Sequence, residues 1–257
     1  MLARIATAVV GIPIVIWLTF EGGWSFFLLV LVLALVGLWE YGRMTHLSLL
    51  LQLWGYAVAS ALLLTLHIHG LERTGSVIAI AVSSLLCILL FGFDHYGFDQ
   101  AGTALLGVCY IPMFFGYLLL LRRLPLGARF TVLTFGLTWA VDTAAFFVGS
   151  QFGQRHLKPD VSPCKTWAGA LAGLITGSVV FLLAAPFVKL RPGPALVIGS
   201  VLGMAAMLGD LIESALKRLA NVKDAGNILP GHGGILDRFD ALLLVAPTAY
   251  FILGWWY

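Results

Sequence analysis

The sequence predicts an all-α integral membrane protein with about nine transmembrane helices. Of its 257 residues, 60% are hydrophobic and only 11% are charged, whereas ordinary soluble domains carry roughly 25% charged residues. The mean hydropathy is +0.99. A soluble domain of this length cannot bury so many apolar side chains and still present a polar surface. Continuous apolar runs, rather than short alternating strands, favour helices over a membrane barrel.

The apolar segments follow one another along the chain with short polar breaks between them. A helix crosses the bilayer core with about 20 mostly apolar residues. Windows of that size predict helices at 5–20, 24–40, 49–66, 76–93, 102–121, 130–148, 168–187, 194–212 and 240–256. A cleaved signal peptide is the alternative for the first window, but no small-x-small cleavage motif follows it. We therefore expect one membrane domain over 1–257.

Charge and cysteine content exclude several classes of protein. The net charge of +3 comes from 15 Lys and Arg against 12 Asp and Glu. No basic run is present, so a nucleic-acid partner is not expected. The three cysteines, Cys87, Cys109 and Cys164, have neither disulfide nor metal-ligand spacing. Every lysine lies in the second half of the chain, and the polar chemistry is expected there.

The distribution of basic residues predicts an orientation in the membrane. The N-terminus and the even-numbered loops carry 9 of the 15 Lys and Arg residues, which favours a cytoplasmic N-terminus. Two predicted helices separate the polar stretches 149–167 and 213–239, so both stretches face the same side. We expect a polar rim on the cytoplasmic side of the membrane.

The stretch 213–239 is the most polar part of the chain. Asp210, Glu213, Ser214 and Lys217 are spaced i, i+3, i+4 and i+7, so they share one face if the eighth helix continues through them. The ninth helix is expected to begin near Asp237 and Asp240, where its dipole tolerates carboxylates. Carboxylate oxygens suit Mg²⁺, which usually takes one or two of them together with substrate phosphates.

Other polar groups lie between and before these carboxylates. Pro230–Gly234 forms a glycine-rich turn that could bind an anion through backbone N–H groups, although no Walker A motif is present. The stretch 149–167 is basic and contains Lys165. Asp142 precedes it inside the sixth apolar segment, and an ionisable residue in such a segment is a functional candidate.

Three groups of residues resemble one enzyme family. The longest is Ser214-x₂-Lys217-Arg218-x₄-Lys223-Asp224-x₅-Pro230-Gly231-His232-Gly233-Gly234-x₂-Asp237-Arg238-x-Asp240. It resembles the signature of the phosphatidate cytidylyltransferase (CDP-diacylglycerol synthase) family. Asp142-x₃-Phe146-x₂-Gly149-x₃-Gly153 and Ser162-Pro163-x-Lys165-Thr166-Trp167-x-Gly169 are also similar to that family. The sequence departs from the family pattern at His156-Leu157 and at Ala168.

The resemblance implies a membrane-bound nucleotidyltransferase of phospholipid biosynthesis in a bacterial inner membrane, with its active site facing the cytoplasm. The catalytic helices would lie in 130–257 and a scaffold or lipid cavity in 1–129. CTP and phosphatidic acid would react to CDP-diacylglycerol and pyrophosphate, with Mg²⁺ as cofactor; a second, monovalent cation and a homodimer are left open. The expected metal ligands are Asp210, Asp237 and Asp240, with Asp142 as a further candidate. The expected catalytic residues are Lys217, Arg218, Lys223, Asp224, His232 and Arg238. The expected substrate-binding residues are Ser162, Lys165, Ser214, Gly233 and Gly234.

Two other functions are weighed against this one. A CTP-dependent kinase acting on a polyprenol or phytol would need a general base for a neutral hydroxyl group. A transporter would place its polar residues near the bilayer midplane, often between repeats, and no repeat is visible. Outside the signature, Glu40 and Arg43 are expected to form a local ion pair. Gly169, Gly173 and Gly177 are expected to allow close helix packing, within the chain or across a dimer.

Overall fold

A computed structural model describes residues 2–228 and 233–256 of the chain, with side chains from residue 9 onward. The described residues form nine helices and one two-stranded hairpin. In chain order these are α1 (Leu2–Glu21), α2 (Gly23–Met44), α3 (Leu49–His69), α4 (Thr74–Phe91), α5 (Phe98–Arg123), α6 (Gly127–Phe152), β1 (His156–Lys158), β2 (Ser162–Thr166), α7 (Trp167–Ala184), α8 (Pro192–Leu219) and α9 (Leu236–Trp256).

The helices confirm the predicted multi-pass membrane fold. Eight of those described, α2 to α9, are long and apolar enough to cross a bilayer, while the apolar part of α1, Val9–Glu21, is shorter. Large apolar side chains point outward: Phe91 is 87% exposed and Trp255 is 93% exposed. Such surfaces are costly in water and favourable against lipid tails.

The chain divides into two compact units. The first comprises Met1–Leu120 and Asp224–Leu236. Within it, Leu51 and Trp54 of α3 pack in a buried cluster with Leu85 of α4 and Val108 of α5. The indole N–H of Trp54 donates to the hydroxyl of Ser84 at 2.9 Å. That bond satisfies a donor which would otherwise lie unpaired in an apolar layer.

The second unit comprises Leu121–Lys223 and Asp237–Tyr257. Its core includes Phe130 and Val141 of α6, Phe181 of α7 and Val245 of α9. Close packing of α7 and α8 depends on small residues, because a Cβ atom on Gly177 would lie 3.0 Å from the Cα atom of Gly203. The glycine spacing in α7 therefore serves contacts inside this chain.

Two local features differ from the predicted boundaries. The stretch 149–167 contains an antiparallel hairpin, in which His156 pairs with Thr166 and Lys158 with Ser162. The two strands are too short to show an alternating pattern, so this hairpin was not predicted from the sequence. The eighth helix was expected to end at 212 but continues to Leu219. Polar residues in its last two turns hid this continuation from a search for apolar windows.

Candidate active site

The last turns of α8 present a polar face. Because the helix continues to Leu219, Asp210, Glu213, Ser214 and Lys217 lie on one side of it, as their spacing predicts. Glu213 is buried, with only 3% of the residue exposed. A buried carboxylate requires a compensating charge, and Lys217 on the next turn provides it: the Nζ atom lies 2.5 Å from Oε2 of Glu213.

Lys217 joins α8 to the first turn of α9. Its Nζ atom also donates to Oδ1 of Asp237 at 2.7 Å. The side chains of Lys217 and Asp237 are 14% and 9% exposed, so this bridge is largely removed from water. One ammonium group therefore holds two carboxylates from two helices, an arrangement that fixes the side-chain geometry of all three residues.

The hairpin supplies a second lysine. Lys165, near the end of β2, forms an ion pair with Oδ1 of Asp210 at 2.6 Å and donates to the hydroxyl of Ser214 at 3.1 Å. The next residue, Thr166, starts α7 by accepting the N–H of Gly169 at 3.2 Å. Because this cap fixes the junction between strand and helix, the preceding lysine is aimed at α8.

Asp142 and Asp240 extend the group of carboxylates. Asp240 is buried and interacts electrostatically with Asp142, Asp210 and Glu213. Asp142 interacts electrostatically with Asp210 and, with opposite sign, with Lys165 and Arg238. We call Asp142, Lys165, Asp210, Glu213, Lys217, Asp237, Arg238 and Asp240 the polar cluster. Its five carboxyl groups outnumber its three cationic groups, so the cluster is a candidate site for a bound cation.

A glycine lets α8 and α9 approach each other beside the cluster. A Cβ atom on Gly209 would lie 2.8 Å from the carbonyl oxygen of Asp240 and 3.0 Å from the Cα atom of Ala241. Gly209 directly precedes Asp210. The two helices therefore approach each other closely beside Asp210 and Asp240. A residue larger than glycine at position 209 would separate them.

An open cavity of about 250 Å³ adjoins the polar cluster. The charged residues that line it are Asp142, Lys165 and Asp210. The remaining lining residues are mostly apolar or small: Ala145, Phe146, Leu157, Ser162, Cys164, Thr166, Gly169, Ala170, Met207 and Leu211. Charged and apolar residues together line the cavity, which suits a ligand with a polar head group and a hydrocarbon part.

The remaining predicted residues are placed as follows. Arg218 donates to the carbonyl oxygens of Val161 at 3.2 Å and Val222 at 3.3 Å, so it ties the hairpin to the end of α8. Lys223 is exposed. Asp224, Gly233 and Gly234 belong to the first unit. His232, with Pro230 and Gly231, lies outside the described residues.

Glu213 was expected on the polar face of α8, but no role in the site was predicted for it. Its signal was the Glu-to-Lys spacing of four residues, which commonly forms a pair on a helix. Asp210 pairs with Lys165 and not with Lys217, which lies two turns further along the same helix face.

The cluster has the donor chemistry that Mg²⁺ prefers. Among the residues that the structure describes, no group of three or more His, Cys, Asp or Glu side chains is already arranged to hold a metal ion. Mg²⁺ commonly uses only one or two carboxylates and completes its shell with water and substrate phosphates. Carboxyl oxygens beside a cavity therefore fit an ion that arrives with a phosphate-bearing substrate.

Comparison with known proteins agrees with this geometry. A model of the cytidylyltransferase family matches residues 2–256. The chain is 40% identical over 190 residues to a phosphatidate cytidylyltransferase of Bacillus subtilis, covering 70% of this chain and 69% of that protein. It is 36% identical over 186 residues to one of Rickettsia bellii, covering 66% and 79% of the two chains. For one of Staphylococcus saprophyticus the identity is 36% over 171 residues, covering 66% and 65%.

Proposed function

Since the chain belongs to the cytidylyltransferase family, we propose that it transfers CMP from CTP to phosphatidic acid, giving CDP-diacylglycerol and pyrophosphate. The protein is a membrane-embedded nucleotidyltransferase. The choice of acceptor is supported by the names of its relatives, which are phosphatidate cytidylyltransferases, and by the cavity beside the polar cluster, which is lined by both charged and apolar residues. Phosphatidic acid likewise combines a charged phosphate with hydrocarbon chains.

The reaction joins an oxygen of the phosphatidate phosphate to the α-phosphorus of CTP. The bond between that phosphorus and the bridging oxygen to the β-phosphate breaks, and pyrophosphate leaves. Because the attacking phosphate is already anionic at neutral pH, no strong general base is needed. Catalysis then depends on orienting two anions against each other and compensating their charge.

Lys165 and Lys217 are the best-positioned cations for this task. Each is already oriented by carboxylates, at 2.6 Å from Asp210 and 2.7 Å from Asp237. An ammonium group held in place loses little further side-chain entropy when it binds a phosphate oxygen. We propose that these lysines, with Arg218, Lys223 and Arg238, contact the phosphates of the two substrates, and that Ser162 and Ser214 also bind substrate. The glycines at 233 and 234, which belong to the first unit, stay predicted substrate-binding residues.

We propose Mg²⁺ as the cofactor, with Asp210, Asp237 and Asp240 as its first candidate ligands and Asp142 as a further one. When bound, the ion supplies charge compensation at the phosphate oxygens. The protein would offer one or two carboxylates to each ion and leave the other coordination positions to substrate, as the donor chemistry of the cluster allows. A monovalent second cation stays a prediction.

The placement in the cell is also proposed. The chain is a multi-pass membrane protein with bacterial relatives. The excess of Lys and Arg in the N-terminus and even-numbered loops supports an inner-membrane protein whose site opens to the cytoplasm, where CTP is made. The glycines of α7 pack against other residues of the same chain. Their spacing therefore gives no support to a homodimer, which stays a prediction.

CTP labelled at a single phosphorus tests the proposal. Purified protein is incubated with phosphatidic acid in detergent micelles, Mg²⁺, and CTP labelled at either the α- or the γ-phosphate. We expect α-label in the lipid phase and γ-label in pyrophosphate. Transfer of γ-label to a polyprenol or phytol would instead identify a lipid kinase. Uptake of an unmodified solute by proteoliposomes, without label transfer, would identify a transporter.

A further inference from the structure

Glu40 is a fully buried carboxylate far from the signature in sequence. It lies near the end of α2 and has 0% of its surface exposed. A buried carboxylate is retained in a protein only where other groups compensate it. The expected partner was Arg43, one turn further on, but the guanidinium of Arg43 lies 4.8 Å from the centre of the Trp39 ring. The structure gives the Glu40 carboxylate other partners.

Both carboxylate oxygens of Glu40 accept backbone N–H groups at the start of α9. Oε1 accepts the N–H of Ile235 and Oε2 accepts the N–H of Leu236, each at 2.9 Å. The first N–H groups of a helix have no partner within the helix. They carry a partial positive charge that a carboxylate stabilises. Glu40, which lies 195 residues before Ile235 in the chain, therefore caps the N-terminus of α9.

Two glycines leave room for this carboxylate. A Cβ atom on Gly226 would lie 2.5 Å from Oε1 of Glu40, and one on Gly234 would lie 2.6 Å from the same oxygen. Both residues belong to the segment Asp224–Leu236, which is part of the same compact unit as α2. Any larger residue would displace either the segment or the carboxylate. The glycines and the glutamate thus form one fitted contact.

We propose that Glu40 is a positioning residue for nucleotidyl transfer, because its carboxylate fixes the residue at which α9 begins. Asp237 is bonded directly to Leu236, and Asp240 follows one turn later. If a neighbouring residue took the place of Leu236 at the Glu40 carboxylate while α9 stayed where it is, the side chains after it would be shifted by one position, about 100° around the helix axis. The hydrogen bond from Lys217 to Asp237 can form in only one of these helix registers. This inference deepens the proposed function and rests on it.

Glu40→Gln tests the role with little change in volume. Gln can accept one of the two N–H groups but presents its own NH₂ group to the other. We expect kcat for CMP transfer to fall about tenfold or more, with the amount of folded protein unchanged. The matched control is Glu21→Gln, the same change on an exposed helix residue, which should leave kcat as in the parent protein.

Hydrogen exchange at the amides of Ile235 and Leu236 separates positioning from a general structural role. These amides should exchange faster in Glu40→Gln, while amides in the middle of α3 keep their rates. A variant with normal kcat, or with low kcat and unchanged exchange at both amides, would overturn the inference. If Glu40→Gln does not accumulate, Gly226→Ala displaces the same carboxylate from the other side and should give the same two changes.

The two proposals fail in different ways. Absence of CMP transfer by the parent protein would refute the proposed function. Exchange at Ile235 and Leu236 would still be measured in that case. Faster exchange in Glu40→Gln would support Glu40 as the residue that sets the start of α9, and unchanged exchange would refute it.

Discussion

Replacing Lys217 with Met removes the only ammonium group that contacts both Glu213 and Asp237 in the described structure. We expect a large loss of stability together with loss of CMP transfer. The Nζ atom lies 2.5 Å from one carboxylate and 2.7 Å from the other. Met fills much of the same space, so the change removes charge more than packing. Two buried carboxylates would then face each other without this cation.

The size of the effect follows from how little water reaches these groups. Side-chain exposure is 14% for Lys217, 3% for Glu213 and 9% for Asp237. Removing one partner of a buried ion pair costs about 3–5 kcal/mol, because the remaining charge is left uncompensated. A surface pair would contribute only about 0–1 kcal/mol. Because all three side chains are buried, the estimate of about 3–5 kcal/mol for a buried ion pair applies to this site.

The assay pairs unfolding in mixed micelles with CMP transfer to phosphatidic acid. The control is Lys189→Met, an exposed lysine between α7 and α8, which should change stability by less than about 0.5 kcal/mol. In Lys217→Met/Glu213→Gln one buried charge is removed as well. We expect the double variant to regain part of the lost stability and none of the activity, since the ammonium group is still missing.

Two results would refute the reasoning. Parental stability in Lys217→Met would mean that the lysine does not compensate buried charge. An equal loss in Lys189→Met would assign the effect to any removed positive charge rather than to this bridge.

Three further predictions concern the same site. Asp237→Asn should insert and fold but lose at least about 100-fold in kcat, with the exposed hairpin residue Asp160 as the matched Asp-to-Asn control; near-parental turnover would contradict a role for Asp237 in the reaction. Gly209→Ala should lower stability by about 1–3 kcal/mol because its Cβ atom would lie 2.8 Å from the carbonyl oxygen of Asp240. Gly136→Ala, where nothing lies within 4 Å, should not, and equal unfolding curves for both would contradict the close approach of α8 and α9. Chelation of divalent ions should abolish CMP transfer and added Mg²⁺ should restore it, whereas full activity in excess chelator would exclude a required divalent ion.

Local periodicity was enough to predict much of the membrane fold and one face of the site. Apolar windows located the helices because each must cross the same hydrocarbon thickness. The spacing of Asp210, Glu213, Ser214 and Lys217 placed them on one face because a helix has a fixed repeat. These features depend on neighbours within a few residues, which a sequence displays directly.

Long-range partners could not be obtained in this way. Nothing in the spacing indicates that Lys165 contacts Asp210, or that Lys217 reaches Asp237 on another helix. The hairpin that carries Lys165 is too short for a strand pattern to stand out. Glu40 was misassigned for the same reason: Arg43 is near in sequence, whereas the N–H groups that Glu40 accepts are 195 residues away or more.

That separation has a consequence for the biosynthesis of the protein. Ribosomes add about 5–20 residues per second, so roughly 10–40 s pass between the synthesis of Glu40 and that of Ile235, which lies 195 residues later. During this interval α2 carries a carboxyl group whose two backbone donors do not yet exist. Glu40 lies near the end of α2. Its carboxylate reaches its final hydrogen bonds only after the start of α9 has been synthesised, so this capping contact forms late in the biosynthesis of the chain.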